Sequence, residues 1–169
     1  MTGEAPDTSS QRIAKVALDE QTVVRRNADI EHERKVAIFD LLEDNDFSLT
    51  GGPEGHGPEG PYSLHLSIED NRLVLDVRSE DDAETLERVV LPLAPLRNLI
   101  KEYFVVCESY FAAIKTASPS RIEAIDMGRR GLHNEGSEIL IERLIDSLSM
   151  DLNTARRLFT LVCVLHIKG

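Results

Sequence analysis

Between Glu123 and Glu138 the chain reads EAIDMGRRGLHNEGSE, a dense run of side chains able to do chemistry. On a helix Asp126, Arg130, His133 and Ser137 fall along one flank, because residues three or four apart share a face. A carboxylate near an imidazole fixes its tautomer and raises its basicity, which suits a general base or a phosphoacceptor. In that arrangement His133 is the base or acceptor, Asp126 orients its ring, and Arg130 holds the oxygens of a phosphate or carboxylate. Arg129, Asn134 and Ser137 stand within two turns as binding groups. Arg156 and Arg157, early in the last helical segment, could flank the same anion. Gly128, Gly131 and Gly136 each cost a helix interior about 1 kcal/mol relative to Ala, and such glycines mark a kink or the close approach of a backbone or ligand. The competing reading is structural: His133 and Asn134 cap or bridge neighbouring helices while the arginines pair with acidic surface. The spacing matches no catalytic motif.

Other chemistries find less support. Glu31, His32 and Glu33 are adjacent, so on a helix they point in different directions, and no HExxH or paired-cysteine spacing exists to hold a metal. The stretch TGGPEGHGPEGP at 50–61 lacks the Lys and the following helix of a phosphate loop. There is no GxSxG elbow for a serine nucleophile. Cys107 and Cys163 each lie in a long apolar helical pattern, as buried thiols do. His65 falls on the polar face of a strand, and His166 at a helix end where the dipole favours a cation.

The elements that must position these groups follow from periodicity. Arg12 to Leu18 alternates weakly and predicts a short strand. Asp29 reads as the N-cap of a helix running to Asn45, with Ile30, Ala37, Ile38, Leu41 and Leu42 on its apolar stripe. Tyr62 to Ile68 and Leu73 to Arg78 alternate around Glu69-Asp70-Asn71, which predicts a hairpin. Leu86 to Leu93 extends it to a meander, with Pro92 marking an edge or a strand end. From Pro95 the period becomes helical, with Leu96, Leu99, Ile100, Tyr103, Cys107, Tyr110 and Ile114 on one stripe. Ser118-Pro119 starts a second helix, and Asp151 caps a last one that is apolar nearly all round from Leu158 to Leu165. Strands followed by helices predict the α+β class: a small antiparallel β-meander with one face packed by C-terminal helices. Residues 1–10 read as a disordered tail and 11–169 as a single domain, with a flexible Gly/Pro loop at 50–61.

The formal charge of −11, from 30 acidic and 19 basic side chains, opposes a role in nucleic-acid binding. No signal-peptide pattern and no run of about 20 apolar residues occur, so a cytoplasmic protein with no membrane role is expected. No cofactor is called for. The apolar surplus at Leu158–Leu165, Phe104 and Phe111 predicts a homodimer, which is the usual closed solution.

The segments EHERKVAIFDLLEDN, GPYSLHLSIEDNRLVLDVR, IDMGRRGLHNEGSE and TARRLFTLVCVLH together resemble uncharacterised protein family 0262, a group of short alphaproteobacterial proteins. The likeness covers most of the chain after residue 11, and the third segment is the most specific. The Gly/Pro-rich insert around 51–60 departs from it. The resemblance implies a bacterial cytoplasmic setting and assigns no activity or functional residue. The reading that follows is a non-enzymatic interaction or regulatory module with a protein partner. The alternative is a small enzyme, phosphotransfer or anion-binding protein using His133 with Asp126 and Arg130.

Overall fold

The computed structural model describes residues 10–19, 28–51 and 57–166. In chain order its elements are β1 (Ile13–Leu18), α1 (Ala28–Glu43), β2 (Phe47–Leu49), β3 (Tyr62–Glu69), β4 (Arg72–Ser79) and β5 (Thr85–Pro92). A single 3-10 turn, Ala94–Leu96, then leads into α2 (Arg97–Thr116), α3 (Pro119–Leu144), β6 (Leu148–Met150) and α4 (Leu152–Leu165). The class is α+β.

The meander forms as its alternation predicts. β3 pairs antiparallel with β4 through Leu64↔Val77, Leu66↔Leu75 and Ile68↔Leu73, and β4 with β5 through Leu73↔Leu91. Asp70 and Asn71 make the turn, with φ of 52° and 61°. A two-residue hairpin turn with both residues left-handed matches the strand twist, and Asp and Asn tolerate that conformation best among non-glycines. Leu64, Leu66, Leu75 and Leu91 are all buried on the helix-facing side. Pro92, opposite Arg72, ends β5, an edge strand whose outer side has no neighbouring strand.

The sheet is not wholly antiparallel. Its order is β1-β3-β4-β5, and β1 pairs parallel to β3, Val16 opposite Leu64 and Leu18 opposite Leu66. The long connection between these strands contains α1, and such a crossover returns the chain in the same direction. The weak alternation of residues 12–18 located the strand but carried no information on its direction. A second sheet, β2 with β6, is outside the sequence reading altogether. Three-residue strands are too short to show a period.

α4 is buried along nearly its whole length, from Thr154 and Ala155 through Leu158 to Leu165. It packs against α1, α2, α3 and β3, so every side of it meets another element. Each of its large apolar side chains contributes roughly 1.5–3 kcal/mol by leaving water. The Leu158–Leu165 part of the apolar surplus expected to drive dimerisation is therefore covered by the chain itself. Phe104 and Phe111 are half-buried.

Two of the three helix caps read from the sequence form. Ser118 caps α3, accepting from Arg121 N, and Asp151 caps α4, accepting from Thr154 N at 2.9 Å. Asp29, however, lies inside the first turn of α1. In α2 the stripe drifts, so that Ala113 is buried and Ile114 exposed. The tail at 1–9 and the loop centre at 52–56 lie outside the described residues. The loop ends are held: Thr50 Oγ1 donates to Asp146 O at 2.6 Å, and Tyr62 Oη donates to Pro58 O at 2.7 Å.

Short polar contacts set the helices that matter for the site. Asp46 N donates to Thr154 Oγ1 at 2.9 Å, and Arg157 donates to Asp44 O at 2.9 Å. Asn45 takes the carbonyl of Leu41 at 2.7 Å and both backbone groups of Ile13, at 2.7 and 3.0 Å. With the β2–β6 pair, the Asp46 and Arg157 bonds fasten the end of α1 to the start of α4, while Asn45 ties that end to β1. α3 crosses α4 at Gly136, where an added Cβ would stand 2.4 Å from the Phe159 ring. Only glycine allows that approach. Gly128 and Gly131 have nothing within 4 Å of a built Cβ.

Candidate functional site

Where α1, α3 and α4 meet they enclose a cleft of about 330 Å³. One helical stripe from each lines it: Glu33, Val36, Ala37 and Asp40 from α1, Asp126, Arg129, Arg130 and His133 from α3, and Asn153, Arg156, Arg157 and Thr160 from α4. The structure thus brings together Asp126, Arg129, Arg130, His133, Arg156 and Arg157, which are far apart in sequence as two groups. It does not bring in Asn134, which is exposed, or Ser137, which is buried and donates back to His133 O. Glu33, Asp40, Asn153 and Thr160 escaped the sequence reading. Their i, i+3 and i, i+4 spacing was visible, but which stripe faces which helix is a matter of packing.

His133 bridges helices. Its Nδ1 lies 2.9 Å from Arg129 O, and its Nε2 lies 2.9 Å from Thr160 Oγ1. A carbonyl only accepts, so Nδ1 carries a proton. Burial first, and the Arg129 and Arg156 cations after it, hold the imidazole below its ordinary pKa, against the raising effects of the Arg129 carbonyl and Asp126. The ring is therefore neutral near pH 7, and its Nε2 accepts from the Thr160 hydroxyl. Arg156 O, at 3.3 Å, is the weaker acceptor for that hydroxyl. Tyr103 and Phe159 meet the imidazole edge to face, with ring centroids at 5.5 and 5.9 Å.

Asp126 does not orient this ring, contrary to the sequence expectation. Its carboxylate is taken by Arg130 at 2.9 Å and Arg129 at 3.5 Å. The i, i+3 and i, i+4 arginines reach it on their own helix, and the imidazole turns instead toward α4. Arg129 also reaches Glu33 of α1 at 2.9 Å and lies over the Tyr110 ring at 4.5 Å. Arg157 is held by Asp44 O. Two charged groups in the cleft are left over. Arg156 on α4 and Asp40 on α1 have no side-chain hydrogen bond or ion pair among the described residues, with each other or with anything else.

A hydroxyl bonded to an imidazole whose other nitrogen is oriented has the connectivity of a nucleophile and its base. Here the Thr160 residue is only 6% exposed and lies mid-helix. Backbone N–H groups in a helix interior are already bonded, so none can take the charge of an oxyanion. The thiols offer no substitute: burial pushes Cys107 up to about 11 and Cys163 well above its ordinary value. Reactive cysteines need the opposite. Among the described residues no group of His, Cys, Asp and Glu is placed to hold a metal ion. No helix among them is long and apolar enough to cross a membrane.

A second cleft of about 330 Å³ lies on the open face of the sheet. Its charges are matched: Asp76 with Arg78 at 2.8 Å, Glu69 with Arg88 at 3.0 Å, and His65 with Asp82 at 2.9 Å. Among the described residues lining it, no comparable pair of unbonded opposite charges is left.

The model of an uncharacterised protein family, UPF0262, matches residues 10–168. A UPF0262 protein of Azorhizobium caulinodans is 58% identical over 158 residues, covering 94% of this chain and 95% of that one. One from Paramagnetospirillum magneticum is 57% identical over 159 residues, covering 94% and 98%. One from Rhodopseudomonas palustris is 53% identical over 169 residues, the whole of both chains. No solved structure matches.

Proposed function

We propose that this chain, which belongs to the uncharacterised protein family UPF0262, is a non-enzymatic regulatory module of the cytoplasm whose three-helix cleft binds a small anion. The observation that carries this reading is Arg156. Three of the four cleft arginines already have partners in carboxylates or a backbone carbonyl, and Arg156 alone presents an unbonded guanidinium to the cleft among the described residues. A guanidinium forms its strongest hydrogen bonds with carboxylate and phosphate oxygens.

The non-enzymatic part rests on His133 and Thr160, whose polar atoms are spent on each other and on helix carbonyls. A phosphoacceptor role needs a free ring nitrogen; the one lone pair of His133 accepts from Thr160. A protein partner, a second copy included, would meet Val105 and Met127, which are 64% and 65% exposed on α2 and α3.

The test is calorimetric titration with inorganic phosphate and with propionate at low salt. The reading expects saturable one-site binding of at least one of them, lost in Arg156→Met and kept in Arg121→Met, which removes an exposed arginine outside the cleft. Equal binding by both variants, or none by the native chain, refutes it.

A further inference from the structure

The cleft that would hold an anion also presents an unanswered negative charge. Asp40 stands on α1 and Arg156 on α4, both lining the same space. Every other charged group there has a partner: Glu33 with Arg129, Asp126 with Arg129 and Arg130, Arg157 with Asp44 O. Asp40 and Arg156 have none among the described residues, and no ion pair joins the two. Opposite charges left unbonded on facing walls of one cleft form a two-ended receptor. A ligand with a single negative charge would satisfy Arg156 and leave the Asp40 carboxylate desolvated and unpaired beside it, which is costly.

We infer that the ligand is a small zwitterion, its carboxylate on Arg156 and its ammonium on Asp40. The Asn153 amide, one turn before Arg156 on the same wall, supplies a neutral donor and acceptor. Half-exposed Val36, between Glu33 and Asp40 along α1, offers an apolar contact for the carbon chain joining the two charges. A volume of about 330 Å³ lies at the small end of ligand sites and suits a molecule of amino-acid size. This inference rests on the anion-binding reading of the same cleft and adds the second charge.

The experiment is an amide NMR titration of the native chain with two ladders of equal length. One is glycine, β-alanine, γ-aminobutyrate and δ-aminovalerate; the other is acetate, propionate, butyrate and valerate, with inorganic phosphate as a further probe. The inference expects shift changes around the cleft, and at the best-fitting length an amino compound that binds tighter than its carboxylate by about tenfold, the worth of one charge-assisted hydrogen bond. Asp40→Asn should bring the two to equal affinity, and Arg156→Met should abolish both. If carboxylates or phosphate bind in the cleft and no amino compound binds more tightly than its matching acid, the zwitterion is wrong and the anion reading stands. If no probe perturbs the cleft, both fall. The ladders on the native chain decide the matter even if a variant fails to fold.

Discussion

Gly136→Ala and Gly131→Ala are the same chemical change five residues apart on α3, and the structure gives them opposite signs. In a helix interior each replacement gains about 1 kcal/mol of propensity, by removing backbone freedom from the unfolded chain. At Gly131 nothing lies within 4 Å of the new methyl, so the gain stands. At Gly136 the methyl would sit 2.4 Å from two carbons of the Phe159 ring and 2.7 Å from a third. Carbons prefer about 3.5–4.0 Å, so the ring or the helix must retreat by about 1 Å or more. Phe159 cannot swing into solvent: it is 0% exposed and wedged edge to face against Tyr103 and His133. Overpacking of that kind costs about 1–3 kcal/mol, and a closed-in ring belongs at the upper end. The net expectation is a loss of about 1–2 kcal/mol for Gly136→Ala and a gain of up to about 1 kcal/mol for Gly131→Ala. For a chain of this size that moves Tm down by about 2–8 °C and up by about 2–4 °C respectively. Urea unfolding followed by far-UV circular dichroism measures both, with an unchanged slope as the check that the denatured state is the same. A Phe159→Leu background should relieve most of the Gly136→Ala loss, which a double-mutant cycle would report as coupling. A neutral or stabilising Gly136→Ala refutes the α3–α4 crossing, and with it the wall of the cleft that His133 and Thr160 build.

Two further outcomes follow from the groups behind that wall. Because the folded pKa of His133 lies below the unfolded value of about 6.5, the unfolded chain takes up this proton first as pH falls; stability is unaffected above that pH and declines below it until the folded pKa is passed. His133→Gln should flatten the stability profile between about pH 7 and pH 5 relative to the native chain, and parallel profiles would show that the imidazole is not buried neutral. The Tyr103 hydroxyl is buried with no nitrogen or oxygen partner among the described residues, and has beside it only the weakly hydrogen-bonding Cys107 thiol. Tyr103→Phe should therefore be neutral or stabilise by about 1 kcal/mol in the same denaturation assay, and a clear loss would mean that the hydroxyl has a partner.

The sequence was most legible where one face meets the core and the other meets water. Tyr62 to Val77 alternates because a strand buries every second residue, and the Asp70-Asn71 turn announces itself because few residue pairs tolerate two positive φ angles. Ser118-Pro119 and Asp151 fixed two helix starts through local bonds alone. The apolar stretch Leu158–Leu165 was legible as a helix apolar nearly all round, and the structure buries every one of its residues. Its cover was not legible: an all-round apolar helix needs neighbours everywhere, and the sequence does not say whether they come from a second copy or from the same chain.

The candidate site divides along the same line. Asp126, Arg129, Arg130 and His133 share a flank because helical spacing is a local property, so their grouping could be read in advance. Their roles could not. Asp126 and the His133 ring are close enough in sequence to interact, but two arginines on the same helix reach the carboxylate, while Thr160, from a different helix, takes the imidazole nitrogen. Glu33, Asp40 and Arg156 reach the cleft only because Asp46 and Arg157 fasten the end of α1 to α4, and because Gly136 lets α3 close on Phe159. The sequence by itself determined the elements, their buried faces and one charged flank, since these depend on residues within a turn or a strand. Which charges find partners, and that Asp40 and Arg156 are left without one, was decided only in the tertiary structure. Ion pairing depends on distances of a few ångströms between elements, and periodicity carries no record of those.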